Sequence, residues 1–257
     1  MADLSTHIKA AQGFLNQSDG RDKLLAAVQY AAMFISAGTP GDAKKVQASV
    51  AAARKVFRIL RPLESLSPLV LNPTINPKKP IFIEILNKIK PILMSIYFGG
   101  DHVVWASQAG LLANKDITSR AQKTSLYGWF GGSLCTIVTE IYESNRITMQ
   151  RKDESNEEYT TRQAAEAAEL RRHAIIFWHA VFQALLAMGL LELRPWKPRT
   201  VGALGIIASV MNCYMLYPSL PRPVFGGLFS SSKRAGAPAA LPSGAVTAAG
   251  EKFAKGL

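Results

Sequence analysis

Between Asp42 and Arg61 the chain reads DAKKVQASVAAARKVFRILR, and at helical period this stretch separates into an oily stripe and a basic flank. Val46, Val50, Ala53, Phe57 and Leu60 recur at the spacing that lines up one helix face, and Val56, Ile59 and Leu63 widen it. Arg54, Arg58 and Arg61 fall together on one flank, with Lys44 and Lys55 opposite the stripe and Lys45 on its aliphatic edge. A helix so patterned can sink its apolar side into the acyl boundary while its cations meet anionic headgroups, each cation adding on the order of 1 kcal/mol near a charged leaflet. The competing interpretation is a core helix with a solvated basic back. The rest of the chain has to decide between them.

Composition narrows the choice. The chain has 257 residues, 48% of them hydrophobic and with a net charge of +12, so it can bury a core and it favours acidic partners. Cys135 and Cys213 are far apart in apolar runs, which predicts neither a disulfide framework nor a zinc site. The start, MADLSTHIKAAQGFLNQSDG, lacks a basic segment followed by an apolar one, so no secretory signal is expected, and the end, Lys-Gly-Leu, is not a Ser-Lys-Leu import address.

Outward from the opening stretch, Gly20 to Ile35 reads as a helix with Ser18 or Asp19 available to cap it, ended by Gly38-Thr39-Pro40-Gly41. The amphipathic helix stops at Pro62, and Pro68, Pro73, Pro77 and Pro80 predict a stiff, extended linker over 62–91 before the next helix. Residues 92–113 and 125–142 are ambiguous spans, since Asp101 and His102 interrupt the first and Glu140 the second. Residues 174–193 have the length and apolarity to cross a bilayer, opposed only by His179, Gln183 and Glu192. After a basic turn carrying Trp196, residues 201–217 complete a hairpin with Tyr214 and Tyr217 at its end. Arg151 to Arg172 predicts a solvated helix supported by Glu158 and Arg162 at the i, i+4 spacing, and residues 223–257 a disordered tail. The expected fold is thus all-α, an integral membrane helical protein. It has an N-terminal amphipathic helical hairpin (1–61), a linker (62–91), a membrane-associated helical region (92–222) and a C-terminal transmembrane hairpin within it.

No P-loop, HExxH, GxSxG or dinucleotide fingerprint is present, so no catalytic residue, metal or cofactor is expected. Asp101-His102 invites a functional assignment, but neighbours in sequence face different sides of a helix, and a structural role between helices is the expectation. His179 and Gln183 share a face and predict an interhelical hydrogen-bond site, and the glycines at 99, 100, 128, 131, 132, 202 and 205 predict close helix approach.

Three segments together resemble the peroxisomal biogenesis factor eleven (peroxin eleven) family. GRDKLLAAVQYAAMF carries Gly20, Arg21, Asp22, Lys23, Gln29 and Tyr30; ARKVFRILRPLE carries Arg54, Lys55, Phe57 and Arg58; and IYFGGDHVVWASQAGLL carries Asp101, His102 and Trp105. The resemblance implies a non-enzymatic, multi-pass protein of the peroxisomal membrane with cytosolic termini. It implies a protein that self-associates and tubulates the organelle ahead of fission by a dynamin-type GTPase and its adaptors. Joined to the stripe, it predicts that Val46, Val50, Phe57 and Leu60 enter the outer leaflet while Arg54, Lys55, Arg58 and Arg61 hold anionic phospholipids. The rival expectations are a pore for small metabolites, lined by Asp101, His102, Glu140 and His179, and a nucleic-acid binder, which only the net charge favours and for which no motif exists.

Overall fold

A computed structural model describes residues 4–77 and 79–218, and among them every regular element is a helix. The helices are α1 (Leu4–Asn16), α2 (Ser18–Ser36), α3 (Asp42–Val56), α4 (Arg61–Leu71), α5 (Ile81–Gln108), α6 (Lys115–Thr148), α7 (Asn156–Leu190) and α8 (Pro198–Leu216). The tail predicted over 223–257 lies outside the described residues.

Each long helix turns back on the one before it. Gly128 of α6 meets the Leu93 carbonyl and Gly100 of α5 meets Ser125, so α5 and α6 lie antiparallel with backbones nearly touching. The Trp129 indole donates to Gln183 at 3.0 Å and Glu140 meets His173 at 2.6 Å, tying α6 to α7. Gly189 against Val201 turns α7 into α8. The first hairpin then docks on the last helix: Gly205 receives the Tyr30 ring and Gly202 the Phe34 backbone, while Phe14 stacks near Tyr217, so α2 runs antiparallel along the length of α8. Helix α3 returns along α2, and the contact of α3 with α5 closes a ring, α2-α3-α5-α6-α7-α8. The apolar core at its centre is built from Ala26, Tyr30, Tyr97, Phe98, Trp129, Leu186 and Ala208.

The outer faces are unusually oily. Phe82, Ile85, Ile89, Ile92 and Ile96 form one exposed row along α5, and Leu134, Val138 and Ile141 another along α6. Helices α7 and α8 are each long and apolar enough to cross a membrane, and only 28% of the apolar window of each is buried against the rest of the chain. A soluble core helix would bury most of that surface. The ambiguous span 92–113 covers the second half of α5 and runs past its end at Gln108, while 125–142 lies inside α6; neither helix is among those long and apolar enough to cross.

Several boundaries differ from expectation for identifiable reasons. The helix predicted over 42–61 breaks after Val56, because Pro62 has no N–H for the Arg58 carbonyl and its ring would collide with it. That carbonyl takes the Arg61 amide and the His102 Nε2–H instead, each at 3.0 Å, and Leu60 adopts a left-handed conformation (φ 69°) to start α4. Most of the linker expected over 62–91 is helical, taken up by α4 and the first turns of α5. Pro62 sits in the first turn of α4, where a missing N–H costs nothing, and the Ser67 hydroxyl donates to the Glu64 carbonyl that Pro68 cannot reach. Ser18 does not cap α2 but begins it, donating its hydroxyl to the Phe57 carbonyl, and Gln17 holds the N-cap position. The separate solvated helix expected over 151–172 is continuous with the following span in α7. Glu158 closes a capping box with Ser155, leaving Arg162 to pair with Glu154 and Glu166.

Candidate membrane-facing surface and the ion cluster behind it

Helix α3 is mounted with its oily side out. Val46 and Val56 are exposed, as are Ala53 and the following Ile59, Leu60 and Leu63, whereas Val50 and Phe57 are half-buried. Leu60 and Leu63, at 62% and 67% exposure, are the most open of the large apolar residues predicted for the stripe. The basic flank faces the opposite way. Arg54 and Arg58, expected at headgroups, are 8% and 7% exposed, so the structure corrects their assignment: they are internal ligands of a carboxylate. A water-facing helix of this sequence would gain by the reverse orientation, since burial of each large aliphatic side chain is worth about 1.5–3 kcal/mol.

The carboxylate is Asp22, 2% exposed on α2. It accepts from Arg54 Nε at 3.0 Å, from Arg58 Nε at 3.0 Å and Nη2 at 3.3 Å, and from Lys23 at 3.1 Å. Burial alone pushes its carboxyl up, but the charges of Lys23, Arg58 and Arg54 together outweigh that and hold it well below the usual aspartate range. Arg54 also donates to Gln29 at 2.6 Å and lies over the Tyr30 ring. Arg58 reaches across to α5, donating to Asp101 at 2.5 Å and to the Tyr97 hydroxyl at 2.7 Å. Arg61 pairs with Asp19 and Glu64 and keeps part of its side chain at the surface, as does half-buried Lys55.

The residues of the three resembling segments thus converge. Gly20 is where α1 crosses α2, because a Cβ there would stand 1.9 Å from the Phe14 carbonyl oxygen, and Arg21 holds the Leu15 carbonyl at 2.6 Å. Asp22, Lys23, Gln29, Tyr30, Arg54, Arg58, Asp101 and His102 meet at or beside one cluster joining α2, the end of α3 and α5. Trp105 stands apart, half-buried further along α5. His179 and Gln183 do share a face: the Gln183 amide donates to His179 Nε2 at 2.8 Å while its oxygen takes the Trp129 indole. Sequence reasoning missed the Lys79–Glu143 and Glu140–His173 pairs, whose partners are too far apart in the chain to leave a spacing signal. At the ring's centre lies a cavity of about 60 Å³ lined by Lys23, Arg54, Arg58, Gln183, Ser209 and Asn212 among apolar neighbours.

Comparison with known proteins gives a consistent picture. Residues 8–217 match the family model described as peroxisomal biogenesis factor 11 (PEX11). The chain is 33% identical over 218 residues to peroxisomal membrane protein 11D of Arabidopsis thaliana, covering 81% of this chain and 91% of that protein. It is 33% identical over 214 residues to peroxisomal membrane protein 11-1 of Oryza sativa subsp. japonica, covering 80% and 90%. To peroxisomal membrane protein 11A of Homo sapiens it is 26% identical over 241 residues, covering 85% and 91%. No solved structure matches.

Proposed function

Because the chain belongs to the peroxisomal biogenesis factor 11 family, whose relatives are named as peroxisomal membrane proteins, we propose that it elongates and tubulates the peroxisome membrane ahead of fission by wedging the α3–α4 junction into the cytosolic leaflet. Its place is the peroxisomal membrane and its role lies in peroxisome biogenesis. The observation that carries the finer proposal is the outward mounting of the stripe: Val46, Val56, Leu60 and Leu63 face away from the protein while the arginines of the same stretch are turned inward.

Two spans, α7 and α8, return the chain to the side it left, and cytosolic termini put the C-terminal end of α8 at the cytosolic surface. The start of α2, the end of α3 and the start of α4 share that end of the bundle, because α2 is antiparallel to α8 and α3 to α2. Val56, Ile59, Leu60, Leu63, Val70 and Leu71 then add volume to one leaflet and none to the other, and positive curvature relaxes the mismatch. Lys55 and Arg61 supply attraction to anionic phospholipids. Self-association spreads the wedge along a tubule, and a dynamin-type GTPase with its adaptors, recruited separately, completes fission. The role requires no catalysis and no cofactor from this chain. Val56→Glu with Leu63→Glu, both at exposed positions, is expected to leave the protein in the peroxisome membrane and abolish its tubules. Tubules of normal length would sink the mechanism.

A pore for small metabolites is the second reading, favoured by the closed ring of helices around a cavity with charged lining. Conductance across liposomes holding the full chain would separate the two.

A further inference from the structure

We infer that the axial cavity binds a small monovalent inorganic anion, of the halide or nitrate class, between Lys23, Arg58 and the Ser209 hydroxyl. This goes beyond the remodelling and pore readings and depends on neither.

The argument begins with charge. Three cations line the cavity, Lys23, Arg54 and Arg58, and all three share a single carboxylate, that of Asp22. Asp101 neutralises Arg58 from the far side and is itself shared electrostatically with half-buried Lys55. Counting only the lining cations, three positive charges face two carboxylates, so one positive charge is left over beside the buried Arg54 and Arg58 and the half-buried Lys23. An unbalanced charge in low dielectric is costly, and a counter-ion is the direct remedy.

Hydrogen-bonding capacity points the same way. Lys23 spends one of its three N–H bonds on Asp22, and Arg58 uses all but one of its five. Ser209 is 2% exposed, lines the cavity, and has no hydrogen-bond partner among the described residues, although serines and threonines on α6 donate to their own helix carbonyls. A hydroxyl on a buried residue that opens to a cavity marks a place for an acceptor. Met94, Phe98 and Leu186 give the wall an apolar part, and two tyrosine hydroxyls and the amides of Gln183 and Asn212 a polar one. At about 60 Å³ the space takes a few water-sized particles. A cavity of this size with three cations on its wall and a serine hydroxyl open to it suits a small anion.

The test uses the full chain in detergent micelles at fixed ionic strength, replacing potassium gluconate stepwise with potassium chloride, bromide or nitrate and following the unfolding midpoint. The small anions are expected to raise the midpoint saturably, and gluconate, too large for the cavity, is not. Ser209→Ala, a mild change in a helix, is expected to raise the apparent Kd for bromide about tenfold, the loss of one hydrogen bond to a charged group. Lys23→Met is expected to remove the saturable response. Equal stabilisation by gluconate, or an unchanged bromide Kd in Ser209→Ala, would overturn the proposal. So would a midpoint that rises without saturating, as general screening requires.

Discussion

Removing the charge of Asp22 while keeping its shape tests whether the cluster, rather than apolar packing, fastens α3 to the bundle. In Asp22→Asn the four contacts from Arg54, Arg58 and Lys23 lose their anion, and the three cations remain in place. Charge-assisted hydrogen bonds contribute about 1.5–3 kcal/mol each but are not additive when they share one acceptor, so the cost expected is that of orphaning a buried ion pair, about 3–5 kcal/mol. The assay is unfolding in mixed micelles titrated with a denaturing detergent, followed by far-UV circular dichroism and by the fluorescence of Trp129 at the cavity wall. Arg54 spends its hydrogen bonds on Asp22 and Gln29 with Tyr30 beside it, so adding Arg54→Gln to Asp22→Asn should recover about 1–3 kcal/mol relative to the sum of the single changes. The pH dependence follows from the lowered folded pKa. Asp22 contributes its stabilisation in full above the ordinary aspartate value near 3.8 and loses it only as pH falls below that toward the folded value. The gap between wild type and Asp22→Asn should therefore be flat from pH 8 to about pH 4 and narrow below it. A variant within about 1 kcal/mol of wild type would refute the reasoning, because an uncompensated buried charge cannot cost so little.

Two further outcomes are expected. Gly205→Ala places a methyl 2.1 Å from Tyr30 Cγ, so the α2–α8 seam must part. A loss of at least about 1–3 kcal/mol should appear in the same unfolding assay, and a neutral result would contradict the antiparallel docking of α2 on α8. Leu60→Gly relieves a bulky residue held at φ 69°, and the relief of about 1–2 kcal/mol exceeds the backbone entropy that glycine adds, about 0.5–1 kcal/mol. Its expected signature is a more stable protein that tubulates less, because an exposed wedge residue is gone; a less stable protein with unaltered tubules would contradict both halves.

The helical class and the terminal hairpin could be read from the chain because both depend on local pattern. Residues 174–193 and 201–217 are long apolar runs, and α7 and α8 occupy them. Which side of the opening stretch faces inward was not legible, since period identifies a face but not its neighbour. The stripe and the arginine flank were both visible, yet only Asp22, thirty-two positions before Arg54 in the chain, decides that the arginines turn in. The break before α4 was half legible: Pro62 announced a stop, but not that His102 would take up the carbonyl it strands. Glu158 and Arg162 had ideal spacing for a pair, and the capping box at Ser155 claimed the glutamate first.

The seam between α2 and α8 carries a consequence for how the molecule is made. Helix α2 leaves the ribosome long before α8, the helix whose glycine face receives Tyr30 and Phe34, so this contact spans most of the described residues. Until α8 arrives, Tyr30 and Phe34 lack the glycine face that receives them, and the ring cannot close on its charged centre. Contacts of such long range form late. The α2 face therefore stays unpaired until α8 is made, and a chain cut short before Pro198 would keep every element of the Asp22 cluster yet lack the helix that seats it.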